Sequence, residues 1–289
     1  MLFRSVKISL RSFTSVLAFL ASPWRILWQN RVLLRQLCQR DLAARYKGSG
    51  LGLVWSILNP LMMLAIYAFV FGEIFRSRWG NAPPPSTWSE KLNFALILYA
   101  GLIIFNWLAE CLAKAPVCVL GNANYVKRVV FPLEVLPVVP IVIGAFHLLM
   151  SFAVLVGFIM LSPTHVTAHW LAAPLLLFPY FLFLVGLAWF LSAIGVYFRD
   201  IEQVVPALTS VLMFLSPVFY SIQMLPAAFR PWLMANPLTF VIETQRNLLF
   251  WQQLPNPGVW VTLYLTALGM FYLGYACFKT LRRGFADVL

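Results

Sequence analysis

Apolar residues run through this chain in long uncharged blocks separated by short polar stretches. The first block, Leu51 to Phe71, carries no charged residue. At 1.5 Å per helical residue it is long enough to cross a hydrocarbon core of roughly 30 Å. Comparable runs cover Phe94 to Leu108, with a continuation past Glu110 towards Val119, then Val135–Leu161, Leu171–Phe198, Val204–Tyr220 and Val259–Phe278. The pattern predicts an all-α polytopic membrane protein with six transmembrane helices.

The intervening stretches differ in character. From Trp24 to Tyr46, Ile26, Leu33, Leu37 and Ala44 fall on one helical face with Arg31 and Arg35 opposite, which predicts an amphipathic interface helix. Asn59-Pro60 lies inside the first span, where proline removes a backbone donor and bends the helix. Between spans five and six, from Ser221 to Gly258, short apolar pieces separated by prolines are too short or too polar to cross, and re-entrant or interfacial helices are expected. The predicted organisation is a cytoplasmic segment 1–50, a transmembrane domain 51–280 and a cytoplasmic tail 281–289.

Composition narrows the class. Of 289 residues 62% are hydrophobic and 10% charged, a balance that a soluble domain cannot hold without exposing large apolar area. The net charge of +12 fits anchoring against anionic membrane lipid rather than nucleic acid. Sixteen Lys and Arg fall on the side of the termini and five on the other. Both termini are therefore expected in the cytoplasm, with Trp88, Trp170, Trp232, Trp251 and Trp260 near the outer interface. The N-terminus has no convincing cleavage site and reads as retained. Cys38, Cys111, Cys118 and Cys277 show no ligand-like spacing, so no metal site is predicted.

The candidate chemistry is sparse. No phosphate loop is present, because in Lys47-Gly48-Ser49-Gly50 the lysine precedes the glycines. Gly48, Gly50 and Gly52 read as a sharp turn, with the alternative that their amides, beside Arg45 and Lys47, hold an anion at the next helix start. Glu110 and Lys114 are spaced to pair along one helix, as are Glu243 and Arg246. His147, inside the third span, reads as bonded to a neighbouring helix carbonyl or as lining a polar pathway. No hydrolase or metalloprotease motif and no acidic cluster occurs, which disfavours an enzyme. Phe214, Phe219 and Tyr220 are candidates to line a conduit, against ordinary packing roles.

Four motifs occur in order: RDLxxRYKxSxLGxxWxxxxPL from Arg40 to Leu61, YVKRVVFPLEVLP from Tyr125 to Pro137, YFRDI from Tyr197 to Ile201, and NPL from Asn236 to Leu238. Together they resemble the membrane permease of bacterial ATP-binding-cassette polysaccharide exporters. The resemblance implies a homodimer in the inner membrane, two copies of a separate cassette ATPase that holds ATP and Mg, no cofactor in this chain, and a lipid-linked polysaccharide as substrate. It also implies that Arg40 and Asp41, the loop residues Tyr125, Lys127, Arg128, Phe131, Pro132 and Glu134, and Arg199 with Asp200 face the ATPase. Arg45, Lys47, Gly48, Leu51 and Gly52 would then lie at the entrance for the lipid pyrophosphate, although cations beside any span also serve as anchors. O-antigen is the favoured cargo, with teichoic acid or capsule export, a drug exporter and a membrane enzyme of lipid-linked sugars as alternatives. The first 23 residues extend beyond the resemblance.

Overall fold

The computed structural model describes residues 18–75, 79–80, 85–126, 131–161 and 167–289. Every regular element among them is helical. Helix α1 covers residues 18–29 and α2 Arg31–Tyr46; a 3₁₀ turn at Gly52–Val54 leads into α3, Trp55–Phe69, which continues as a π turn through Val70–Ile74. Next come α4 (Trp88–Lys114), the single turn α5 (Ala123–Val126), α6 (Val138–Met160) and α7 (Ala173–Tyr197). The chain then forms α8 (Ile201–Phe214), the short α9 (Arg230–Met234) and α10 (Pro237–Arg246), α11 (Pro257–Leu281) and α12 (Phe285–Val288).

Among the described residues, five stretches are long and apolar enough to cross a membrane: Gly52–Ile74, Trp88–Lys114, Leu133–Met160, Ala168–Tyr197 and Pro257–Val288. The predicted fifth run fares differently. It remains apolar to Tyr220, but α8 stops at Phe214 because Pro217 offers no N–H and disfavours a helical residue before it. Its 14 residues extend about 21 Å, short of the hydrocarbon core. The second span begins earlier than its apolar run. Thr87 and Glu90 form a capping box, the Glu90 N–H donating to Thr87 Oγ1 (3.3 Å) and the Thr87 N–H to Glu90 Oε2 (3.2 Å), which starts α4 at Trp88. The predicted interface helix is divided at Asn30, whose side-chain amide donates to the Ile26 carbonyl (2.8 Å).

Helix α4 is the hub. Within its apolar window 72% of residues are buried, against 11% for the first span, so the later helices assemble around α4 while α3 stays at the edge. The closest helix pair is α7 with α11. Tyr264 donates to the Leu175 carbonyl (3.1 Å), Gly274 meets the backbone of Gly186, and Tyr197 donates to the Leu281 carbonyl (2.9 Å). Residue numbers rise together along both helices, so α7 and α11 are parallel. A Cβ at Gly186 or Gly274 would overlap the opposing backbone, and only glycine allows this approach.

Because α7 and α11 run the same way, residues 198–256 must carry the chain back over the distance that α7 covers. Helix α8 and the turns after it make this return, and Arg246 fixes their end. Its fully buried guanidinium donates to the carbonyls of Pro217 (2.5 Å), Val218 (2.6 Å) and Ile97 (3.0 Å), pairs with Glu243 (3.0 Å) and lies 4.4 Å over the Trp79 ring. The expected Glu243–Arg246 pair is present, yet the arginine's larger task is to satisfy the Pro217 and Val218 carbonyls that the end of α8 leaves open and to tie them to α4 through the Ile97 carbonyl.

Candidate functional site

The turn from α2 to α3 is built on left-handed glycines. Gly48 (φ 85°) and Gly52 (φ 50°) adopt a conformation that disfavours any side chain, whereas Gly50 does not. Lys47, Gly48 and Leu51 are exposed around this turn, and Lys47 makes no ion pair with any described residue.

Arg45 has a different fate. Its Nη2 donates to Glu110 Oε1 (2.7 Å), and its Nη1 lies 3.2 Å from His147 Nδ1. The same imidazole nitrogen is 2.9 Å from Glu110 Oε2, and the Tyr46 hydroxyl is 3.3 Å from His147 Nε2. Side chains from α2, α4 and α6 thus converge on one carboxylate. The expected Glu110–Lys114 pair is replaced by this cluster: Glu110 pairs with Arg45 of α2 and meets His147 of α6, while Lys114 lines a cavity of about 390 Å³ together with Arg40, Asp41, Arg45 and Glu110 and makes no ion pair with Glu110. His147 meets a carboxylate rather than the expected backbone carbonyl.

Above the cluster lies a cavity of about 460 Å³ between the Tyr46–Ser49 turn, α3, α4 and α6. Its wall includes Trp55, Ser56 and Asn59 from α3, Tyr99 and Asn106 from α4, and His147 and Ser151 from α6.

At the other end of this region, Arg40 pairs with Asp41 (2.8 Å) and donates to the Tyr125 hydroxyl (2.9 Å), which ties α2 to α5. That ion pair raises the Arg40 pKa above its ordinary value. Tyr125 stacks on Phe131 at 4.4 Å, and Pro132 follows. Lys127 and Arg128 lie outside the described residues. Glu134 is buried: its carboxylate is held by Arg282 and its carbonyl accepts from Trp189 Nε1 (2.8 Å). Arg199 and Asp200 are exposed at the corner between α7 and α8.

The sequence model of the ABC-2 type transporter family matches residues 32–250. This chain belongs to the ABC-2 type transporter family. It is 28% identical over 258 residues to the O-antigen export system permease protein RfbA of Klebsiella pneumoniae, covering 89% of this chain and 95% of that protein. The corresponding permease of Myxococcus xanthus is 26% identical over 265 residues, covering 91% and 97%. The polysialic acid transport protein KpsM of Escherichia coli is 24% identical over 265 residues, covering 87% and 94%.

The ABC-2 match leaves out α1 and α11, and these two helices pack on each other. Trp24 lies 5.0 Å from the Phe271 ring and donates from Nε1 to the Tyr272 hydroxyl (3.1 Å), while Phe19 sits 5.7 Å from Tyr275. The aromatic candidates of this ABC-2 chain divide. Phe214 is exposed, Phe219 stacks on Phe71 of the first span (5.5 Å), and the Tyr220 hydroxyl donates to the Phe214 carbonyl (2.9 Å). Sequence reasoning missed the Arg45–Glu110–His147 cluster and the reach of Arg246. An ionisable residue within each of two apolar runs was the available signal for Glu110 and His147.

Proposed function

We propose that this chain is the permease of an ATP-driven exporter that passes a lipid-linked polysaccharide, O-antigen first among candidates, across the bacterial inner membrane. The observation that carries this reading is the end-to-end similarity to O-antigen export permeases, which covers 95% to 97% of their length. The match to KpsM keeps capsular polysaccharide as the second reading. ATP and Mg belong to a separate cassette ATPase, present in two copies beneath a homodimer of this chain.

The parallel course of α7 and α11 supports six crossings with both termini in the cytoplasm, the fifth being made by α8 and its irregular extension. On this reading α9 and α10 form the re-entrant hairpin on the outer side. Arg40, Asp41 and Tyr125 meet the ATPase, with Arg199 and Asp200 beside them, while Glu134 braces the loop from behind. Lys47 takes the lipid diphosphate, since Arg45 is already committed to Glu110.

The test is ATP hydrolysis by the chain reconstituted with the cassette ATPase encoded beside it. Hydrolysis that needs both proteins and falls on Arg40→Ala, followed by glycan export into vesicles, supports the reading. Absence of a complex and of partner-dependent hydrolysis overturns it.

A further inference from the structure

We propose that the 460 Å³ cavity between the Tyr46–Ser49 turn, α3, α4 and α6 binds an uncharged, polyhydroxylated group, the first sugar that follows a lipid diphosphate. The inference rests on the export reading and names the part of the substrate that this site takes.

Charge decides between a sugar and a phosphate. Among the described residues of the cavity wall the permanent charge is that of Arg45, and its guanidinium is paired with Glu110 at 2.7 Å. An anion placed here would have to compete with Glu110 for the arginine, at membrane depth where an unpaired carboxylate is costly. A hydroxyl-rich ligand meets no such penalty.

The rest of the wall fits that ligand. Asn59 and Asn106 offer exposed carboxamides that make no hydrogen bond with any described residue, and the buried Tyr99 hydroxyl faces Ser151 on the same wall. Polar side chains left open in a membrane-embedded bundle are expensive unless something polar meets them. Each carboxamide donates and accepts, which matches the dual character of a sugar hydroxyl. The Trp55 ring on the same wall supplies an apolar face. A volume of about 460 Å³ lies within the roughly 300–1,000 Å³ of small-molecule sites.

Position gives the order of groups. Lys47 lies between Tyr46 and Ser49, both on the cavity wall, so a diphosphate held at Lys47 delivers the group attached to it to the cavity mouth. Asn106 is about 12 Å from the Lys114 end of α4, and Ser151 about 20 Å from the Val138 start of α6, so the cavity extends well into the membrane.

The test compares two probes on the full chain in lipid nanodiscs: a radiolabelled short-chain polyprenyl diphosphate bearing one N-acetylhexosamine, and the same lipid diphosphate without the sugar. The sugar is expected to tighten binding at least about fivefold, as two or three new hydrogen bonds would. Asn106→Leu, and independently Ser151→Val, should abolish that gain while leaving the sugar-free probe bound as before, which also reports that each variant is folded. Lys47→Gln should weaken both probes alike. Equal affinity for the two probes, or variants that weaken both equally, overturns the sugar site and leaves the export reading standing. Failure of both probes to bind overturns the export reading and the sugar site with it.

Discussion

The carboxylate of Glu134 is buried against the guanidinium of Arg282, 148 residues further along the chain. One end of the pair sits at the base of the loop that follows α5, and the other at the end of α11. Together with the Trp189 bond to the Glu134 carbonyl, this fastens the loop base to the two parallel helices.

Removing Arg282 leaves a buried carboxylate without its partner. Arg282→Ala is expected to destabilise the protein by about 1–3 kcal/mol, less than for a fully buried pair because the arginine is partly exposed. Thermal unfolding in detergent checks this. Glu134→Gln with Arg282→Ala should recover part of the loss, and full additivity of the two changes would argue against a direct coupling.

The contact between Gly186 and Gly274 tolerates no added atom. Gly274→Ala is expected to cost about 1–3 kcal/mol or to force α7 and α11 apart, because a Cβ there would overlap the facing backbone. On the same helix, Gly269 has open space around it. Gly269→Ala should therefore be neutral or stabilising by up to about 1 kcal/mol, the usual helical gain. Paired melting curves of the two variants provide the comparison, and equal destabilisation would sink the explanation.

Arg246 serves three backbone carbonyls and one carboxylate at once. A lysine has neither the fork nor the reach to do the same. Arg246→Lys is expected to lose more than about 2 kcal/mol, since each buried carbonyl left open costs roughly 1–3 kcal/mol. Proteolysis within residues 215–230 should accelerate in the variant and remain slow in the parent. An unchanged cleavage rate would mean that the turns hold themselves.

Cys38 on α2 has its thiol pKa raised to about 11, first by burial and then by the charge of Asp41. Only the thiolate reacts with maleimide. In a variant retaining Cys38 alone, the labelling rate should rise about tenfold per pH unit up to pH 10 without a plateau. Asp41→Asn removes one of the raising influences, so labelling at fixed pH should become faster. A plateau near pH 8.5 would contradict the buried setting of the thiol.

The positions of five spans were legible because uncharged runs of about 20 residues have few other uses. The fifth predicted span was overextended for a reason visible in hindsight: apolar character continues past Phe214, and hydropathy does not register the backbone donor that Pro217 lacks. The start of α4 was placed too late because the capping pair Thr87 and Glu90 is polar and lies outside the apolar run. The sharp turn between α2 and α3 was legible because Gly48 and Gly52, which take its left-handed positions, lie close together in one local motif. Glu110 was assigned to Lys114 by helical spacing, whereas its partners Arg45 and His147 come from two other helices, a juxtaposition that no local pattern encodes. Arg246 read as a simple i,i+3 partner because the carbonyls that it serves are exposed by tertiary geometry alone.

The fixing of the α8 turns by Arg246 also has a meaning in time. Helix α4 is synthesised early, but the guanidinium that bonds its Ile97 carbonyl, and the Gln245 amide that bonds its Ala100 carbonyl (3.1 Å), emerge from the ribosome some 145 residues later. Until then these two carbonyls of α4 lack the side chains that bond them. A nascent chain halted before residue 246 lacks this clamp, and α11, the partner of α7, has still to follow it.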